Sequence, residues 1–345
     1  MNYNKNIMLL IYNTMSYHTF PILINSSNLV PNSVNKYRYE LPTGTAISLK
    51  AGSEIVVQSC SLYNSVDNIR ADWGNNTMIL FYDNFNLTNI SNLGFSVGTT
   101  YTDPYYSNIV INKKYVKITI PDGFYDIPDL SLFLKQQCTV LGFYLSSTIN
   151  STDMHFFDFQ INKNLYSGQI NLYPIPSTLA NYANPSNTFT LPTSPQTAFI
   201  YFPNGNPFVK YGGIGSIFGV NGGSCFPYFP SVSPTGSPVA TQHLSTKCPV
   251  VQPITNYLFT SNLIMSKYSN PPNMLFQMPV SVGFGEMMIY RDNPIFMSCI
   301  EGTVNHIEIE LHDQYCNKLM LNDTEFCLTL IMKLPKEQPK QKNLM

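Results

Sequence analysis

The segment "HIEIELHD" places His306, Glu308, Glu310 and His312 at alternate positions, with Ile307, Ile309 and Leu311 between them. Alternate residues of a strand share a face, about 6.8 Å apart. Two imidazoles and two carboxylates on one face are zinc-ligand types. A flat strand, however, splays neighbouring side chains too widely to close a four-coordinate shell. The reading adopted is a solvent or subunit-contact face, opposite an Ile/Leu face turned to a core, with no metal. "GGIGSIFG" superficially suggests a phosphate loop. Gly213 and Gly215 lack a third glycine at the fingerprint spacing and no Lys-Ser/Thr follows, so it reads as a tight turn. Ser216 is not in a G-x-S-x-G nucleophile elbow. No cysteine has an evident histidine partner. Phe81, Tyr82, Tyr105, Tyr106, Tyr228 and Phe229 have the rings to stack on sugars or bases, and Trp73 is the only tryptophan. For most of these rings, packing in a core or interface is the preferred reading. Lys333, Lys336, Lys340 and Lys342 make the C-terminal end basic. Four lysines offer nucleic acid only a weak phosphate contact. No catalytic, cofactor-binding or metal-binding residue is assigned.

The elements that must carry these residues read almost entirely as strands. Tyr37, Tyr39 and Leu41 alternate with Lys36, Arg38 and Glu40, as in a half-buried antiparallel strand. Similar runs cover Thr19–Ile24, Thr45–Leu49, Glu54–Tyr63, Thr77–Tyr82 and Tyr115–Ile120. Residues 83–110 read as a polar loop. From about 143 to 248, Pro, Ser, Thr, Asn and Gly dominate, with short strands such as His155–Ile161 and Gln169–Pro174. Clean strands resume with Ile254–Ile264, Met274–Met278, Glu286–Tyr290, Thr303–Leu311 and Glu325–Lys333. Strands every ten or so residues indicate an all-β sandwich or jelly roll. The exception is one amphipathic helix. In "ITIPDGFYDIPDLSLFLKQQC" a strand stops at Pro121-Asp122-Gly123. Apolar residues then recur at helical spacing: Ile127, Leu130, Phe133, Leu134, Cys138 and Leu141. Asp126 caps this helix and Pro128 sits in its first turn, where a missing N–H costs little. Its stripe is expected to cover one end or face of the sheet, between the sandwich and an insertion.

Composition bounds the function. The chain has 345 residues, is 44% hydrophobic and only 11% charged, with net charge −1. An average soluble protein is about 25% charged. Few charges with many aromatics argue against disorder and resemble interface composition. Much of the surface is therefore expected to be covered by other copies or partners. Nothing global steers the chain to DNA or an anionic membrane. The seven cysteines contain no C-x-x-C pair and are read as reduced, structural residues of an intracellular folding compartment. Sequons such as that at Asn25 carry little weight in an Asn-rich chain. Ile7–Tyr12 is too short to span a membrane and lacks a cleavage site; Met15 is an alternative start.

The order of motifs resembles the penton (minor capsid) proteins of virophages, polinton-like viruses and related large DNA viruses. It runs from "ILINSSNLVPNSVNKYRYELPTG" and "IVVQSCSLYNSVDNI" through "ITIPDGFYDIPDLSLFLKQQ", "QINLYPIP" and "GGIGSIFGVNGGSCFP". "VVQPITNYLFTSNLIMSKYSNPPNMLFQMP" and "IEIELHDQYCNKLMLNDTEFCLTLIM" complete it, so the resemblance spans about Tyr17 to Lys333. It implies a single jelly roll with an inserted, loop-rich β domain. It also implies a homopentamer at icosahedral vertices and contact with major capsid protein trimers, possible contact with other minor capsid proteins, and a place in the virion after synthesis in host cytoplasm or a viral factory. The division expected is 1–16 as an N-terminal arm, 17–142 and 249–334 as the jelly roll with its helix near 127–141, 143–248 as the insertion, and 335–345 as a tail. The competing classes are a surface module that recognises receptor or glycan through the insertion, and a hydrolase carried on the particle.

Overall fold

The computed structural model describes residues 17–227, 239–291 and 295–336. The expected arm at 1–16, Tyr228, Phe229, Lys340 and Lys342 lie outside the described residues. The strands used below are Tyr17–Asn25 (β1), Lys36–Glu40 (β2), Glu54–Tyr63 (β3), Thr77–Phe81 (β4), Tyr115–Thr119 (β5), Phe157–Asn162 (β6), Ser167–Leu172 (β7) and Phe199–Phe202 (β8). They continue with Ser224–Phe226 (β9), Thr241–Leu244 (β10), Asn256–Ser261 (β11), Met274–Pro279 (β12), Met287–Tyr290 (β13), His306–Asp313 (β14) and Phe326–Pro335 (β15). The fold is all-β, as expected, with one long helix at Ile127–Leu141.

Contacts divide the chain into two compact units, residues 1–66 with 254–345, and residues 67–253. In the first, two antiparallel sheets run β1-β15-β3-β13 and β2-β14-β11-β12, with Met297–Ser298 also pairing on β3. Counted within the unit, the sheet orders are first-eighth-third-sixth and second-seventh-fourth-fifth. That is the double Greek key of a jelly roll. The inner faces meet through aromatic rings: Tyr37 of β2 stacks on Phe326 of β15 at 4.3 Å, and Phe276 of β12 meets Tyr290 of β13 at 5.1 Å. Ile24, Ile55, Phe259, Ile309, Leu328 and Leu330 are fully buried beside them. Each such aliphatic side chain contributes about 2 kcal/mol by leaving water.

The second unit has its own core. A five-stranded sheet runs β9-β8-β4-β5 and ends on Ser96–Gly98. Its strands are apolar on both faces. Met78, Leu80, Val116, Ile118, Ile200 and Phe202 join one cluster with the helix, while Ile79, Phe81, Phe199 and Tyr201 join another with Tyr101. This explains the uninterrupted runs "MILF" and "FIYF": a strand covered on both sides loses its polar alternation. A three-stranded sheet, β6-β7-β10, packs against the helix through β6.

Several expected boundaries move. The contact division falls at 66/67 and 253/254, not at 142/143 and 248/249, because β4 pairs with β8 across the expected border. Composition marked the loop-rich part of the second unit and missed its strand-rich start. The helix accordingly lies within the second unit, its buried face met by that unit's own cluster. Residues 83–110 are not merely loop: they hold a helical turn at Leu87–Asn92 and the strands Ser96–Gly98 and Tyr101–Thr102. Asn86 caps that turn through its side chain, a signal hidden by the frequency of asparagine. The final strand runs to Pro335, so the expected start of the tail at 335 falls inside it.

Candidate functional site

The "HIEIELHD" strand forms as the alternation predicts, although its start is His306, since Gly302–Val304 pairs separately with Ile47–Leu49. β14 sits between β2 and β11. Ile307, Ile309 and Leu311 are fully buried, and the four polar residues lie half-buried on the other face. That face is occupied by local pairing. Lys36 Nζ lies 2.7 Å from Glu308, and Lys318 Nζ lies 3.1 Å from Glu310. His306 Nδ1 lies 2.8 Å from Asn305 Oδ1. Burial holds the His312 ring below the usual histidine range despite Glu310 at 3.9 Å. Among the described residues no group of three His, Cys, Asp or Glu side chains is placed to hold a metal.

The glycine-rich segment folds as a 3-10 turn, Ile214–Phe218, closed by Gly219 in the left-handed region at φ 72°. A Cβ on Gly219 would lie 2.1 Å from the Lys247 carbonyl oxygen, so only glycine fits. Ser216 Oγ donates to the Gly213 carbonyl at 2.8 Å, a local turn contact. The candidate stacking rings separate. Phe81 and Tyr82 are core residues, whereas Tyr105 and Tyr106 are exposed. Trp73 packs at a tilt of 30° against Tyr211, ring centres 4.3 Å apart, with the Arg70 guanidinium 5.7 Å from its ring centre. All seven cysteines are free. Burial pushes the Cys138 thiol up to about 12, which keeps it protonated and unreactive at neutral pH.

Sequence reasoning missed Asp103. Its carboxylate is 1% exposed and accepts hydrogen bonds from the Tyr201 hydroxyl at 2.7 Å, the Asn204 backbone N–H at 3.0 Å and the Tyr105 N–H at 2.9 Å. The partners are close in sequence on one side and about a hundred residues distant on the other, so no local motif could announce it. The same holds for Asp158 on β6. Burial alone would push its pKa up, but bonds from Lys135, Gln160 and Ser131 outweigh this and leave it below the usual carboxylate range.

The described residues of each unit form a concave surface. In the first, His18, Ile47, Ser48, Lys50, Leu334 and Lys336 are among the residues that line a groove of about 560 Å³. In the second, Asn89, Leu93, Val140, Tyr144, Ser186 and Asn187 are among those lining a cleft of about 260 Å³. No helix of the described residues is long and apolar enough to cross a membrane.

No protein-family model matches the sequence. No curated protein matches it. Among solved structures the chain is similar to the mavirus penton protein, with 10% identity and a TM-score of 0.38 over 93% of this chain and 99% of that one. It is also similar to a chain of the Sputnik virophage, with 12% identity and a TM-score of 0.35 over 93% of this chain and 98% of that one. The jelly-roll assignment itself rests on the strand order.

Proposed function

We propose that this chain is a structural capsid protein, a penton subunit. On this reading it forms homopentamers at the icosahedral vertices of a DNA virus and contacts the major capsid protein. The observation that carries this reading is the complete jelly-roll strand order of the first unit, an architecture that builds viral capsids. The surface supports it. Met287 and Ile289 are exposed at alternate positions of the edge strand β13, with Phe284 and Ile295 exposed on either side of it. Grouped apolar side chains of this kind suit an interface. A ring closes by heterologous contacts between two different patches, and an open sandwich offers two different sheet edges. The role needs no cofactor and no chemical step. The protein resides in the virion, after synthesis in host cytoplasm or a viral factory. Native mass spectrometry of the purified chain, alone and with major capsid protein, tests it. Five copies are expected in the first case and a larger mixed complex in the second. A stable monomer that hydrolyses glycan or peptide would overturn the reading.

A second reading concerns the second unit as a receptor- or glycan-binding head. Its cleft is rimmed by Leu93, Val140 and Tyr144 and carries the neutral hydrogen-bonding side chains of Asn89, Ser186 and Asn187. Apolar rim plus uncharged donors and acceptors is the chemistry of a neutral sugar site. Binding to a glycan array, lost on Asn187→Ala, separates this reading from a purely structural one.

A further inference from the structure

We propose that Asn221 is a self-modification site, converted to aspartate or isoaspartate through a cyclic imide closed on Gly222. This is independent of the capsid reading. The chain contains two Asn-Gly pairs, Asn204-Gly205 and Asn221-Gly222. A glycine after asparagine leaves its nitrogen unshielded by a side chain, so that nitrogen can approach the amide carbon. The fold treats the two pairs in opposite ways. Asn221 is exposed, and Lys247 Nζ donates to its Oδ1 at 2.9 Å. Among the described residues the Gly222 N–H donates to no carbonyl. Asn204 faces Asp103 instead, donating to that carboxylate from its backbone N–H at 3.0 Å and from Nδ2 at 3.2 Å. An ammonium has only donors and a carboxylate only acceptors, so chemistry fixes both amide orientations.

These neighbouring charges act on the reaction. The Gly222 nitrogen gives its proton to hydroxide and bonds to Asn221 Cγ, and the carbonyl electron pair moves onto Oδ1. The Lys247 ammonium lies where that negative charge develops and stabilises it. Collapse of the tetrahedral centre breaks the Cγ–Nδ2 bond, and Nδ2 leaves as ammonia with a proton taken from water. Water then opens the imide. Attack at Cγ gives aspartate, and attack at the backbone carbonyl gives isoaspartate. The net change is amide plus water to carboxylic acid plus ammonia, with nothing oxidised or reduced. The new carboxylate at position 221 lies beside Lys247 and forms an ion pair with it. At Asn204 the same oxyanion would form beside the Asp103 carboxylate, and like charges raise that barrier.

Incubation of the full, folded chain in mildly alkaline buffer tests the proposal, followed by isoelectric focusing and peptide-mapping mass spectrometry. An acidic species is expected to accumulate, with the amide-to-acid change at Asn221 and Asn204 still an amide. Lys247→Met is expected to slow the conversion about threefold, the worth of one exposed charge contact. Lys247→Arg keeps a cation at that position and is expected to react as the parent does. So is Lys163→Met, which removes an exposed lysine elsewhere. In guanidinium the two asparagines are expected to react at similar rates, because the fold alone separates them. Asn204 converting as fast as Asn221 in the folded chain overturns the proposal. So does a rate that Lys247→Met leaves unchanged, or a difference between the two sites that persists in guanidinium. A covalent Asn221–Lys247 crosslink also overturns it, since Nζ rather than the Gly222 nitrogen would then be the nucleophile.

Discussion

Asp103 shows how a single buried charge can be stable when every partner is a donor. Tyr201, Asn204, Tyr105 and Tyr106 all point N–H or O–H groups at its carboxylate. Asp103→Ala leaves the buried Tyr201 hydroxyl and the half-buried Asn204 N–H without acceptors, at a cost of about 3 kcal/mol. Urea denaturation followed by tyrosine fluorescence checks this; a change below about 1 kcal/mol would refute it. The histidines give a second residue-scale expectation. Burial lowers the proton affinity of His155, His243 and His312. A histidine depressed in the folded state binds its proton more readily once unfolded. Its stabilising contribution is therefore complete above the unfolded value, about 6.5, and is lost as pH falls from there through the folded value. Asp158, also depressed, adds a further loss at lower pH, as pH falls below about 4 towards its folded value. Melting temperature is expected to drop on acidification in that order. Replacing the three histidines with Gln should flatten the first fall, measured by calorimetry across the series.

The helix is the element whose sequence signals agree most fully with its structure. Asp126 accepts from the Asp129 N–H at 2.8 Å while Asp129 accepts from the Asp126 N–H at 3.1 Å, a reciprocal cap. Gly142 ends the helix in the left-handed region at φ 71°. Ile127, Leu130, Leu134, Cys138 and Leu141 are buried along one stripe, and Ser131 fixes the helix to β6 through Asp158 at 3.0 Å. Leu134→Ala is expected to cost about 3 kcal/mol by leaving a cavity, and Asp126→Ala about 1 kcal/mol by uncapping. Circular dichroism melts of both variants check the ranking; equal small effects would mean the helix contributes little to its unit. The helix's neighbours were not legible. Amphipathic spacing gives a buried face but not what buries it, and β6 lies beyond the short strands Leu145–Ser147 and Asp153–Met154.

At the scale of the molecule, the jelly roll is interrupted between its third and fourth strands by residues 67–253. The two ends of that interruption are close within the first unit, where the Tyr257 hydroxyl donates to Asn64 Oδ1 at 2.9 Å. Replacing residues 67–253 with a short Gly/Ser bridge is therefore expected to leave a folded jelly roll with a cooperative melt. Replacing only 143–248 removes β8 from beside β4, and the remainder of the second unit is expected to unfold. Limited proteolysis of the two deletions distinguishes them. Protection of 67–142 in the shorter deletion would restore the boundary expected from composition.

The sequence by itself determined what local physics controls. Period-two alternation marked "HIEIELHD" and "KYRYE" as half-buried strands, and period 3.6 with a capping aspartate marked the helix nearly to the residue. Turn chemistry at Pro121-Asp122-Gly123 ended a strand where the structure ends it, with the Asp122 carboxylate accepting from the Ala71 N–H at 2.7 Å. Only tertiary structure decided the rest. Strand neighbours such as β1 with β15 are some three hundred residues apart, and no local pattern encodes that register. Whether β4 belongs to the sandwich or to the second unit depends on which sheet offers it hydrogen-bond partners. Asp103 acquires its meaning the same way. Charges and donors act over a few ångströms of space, and the fold brings them together from distant points of the chain.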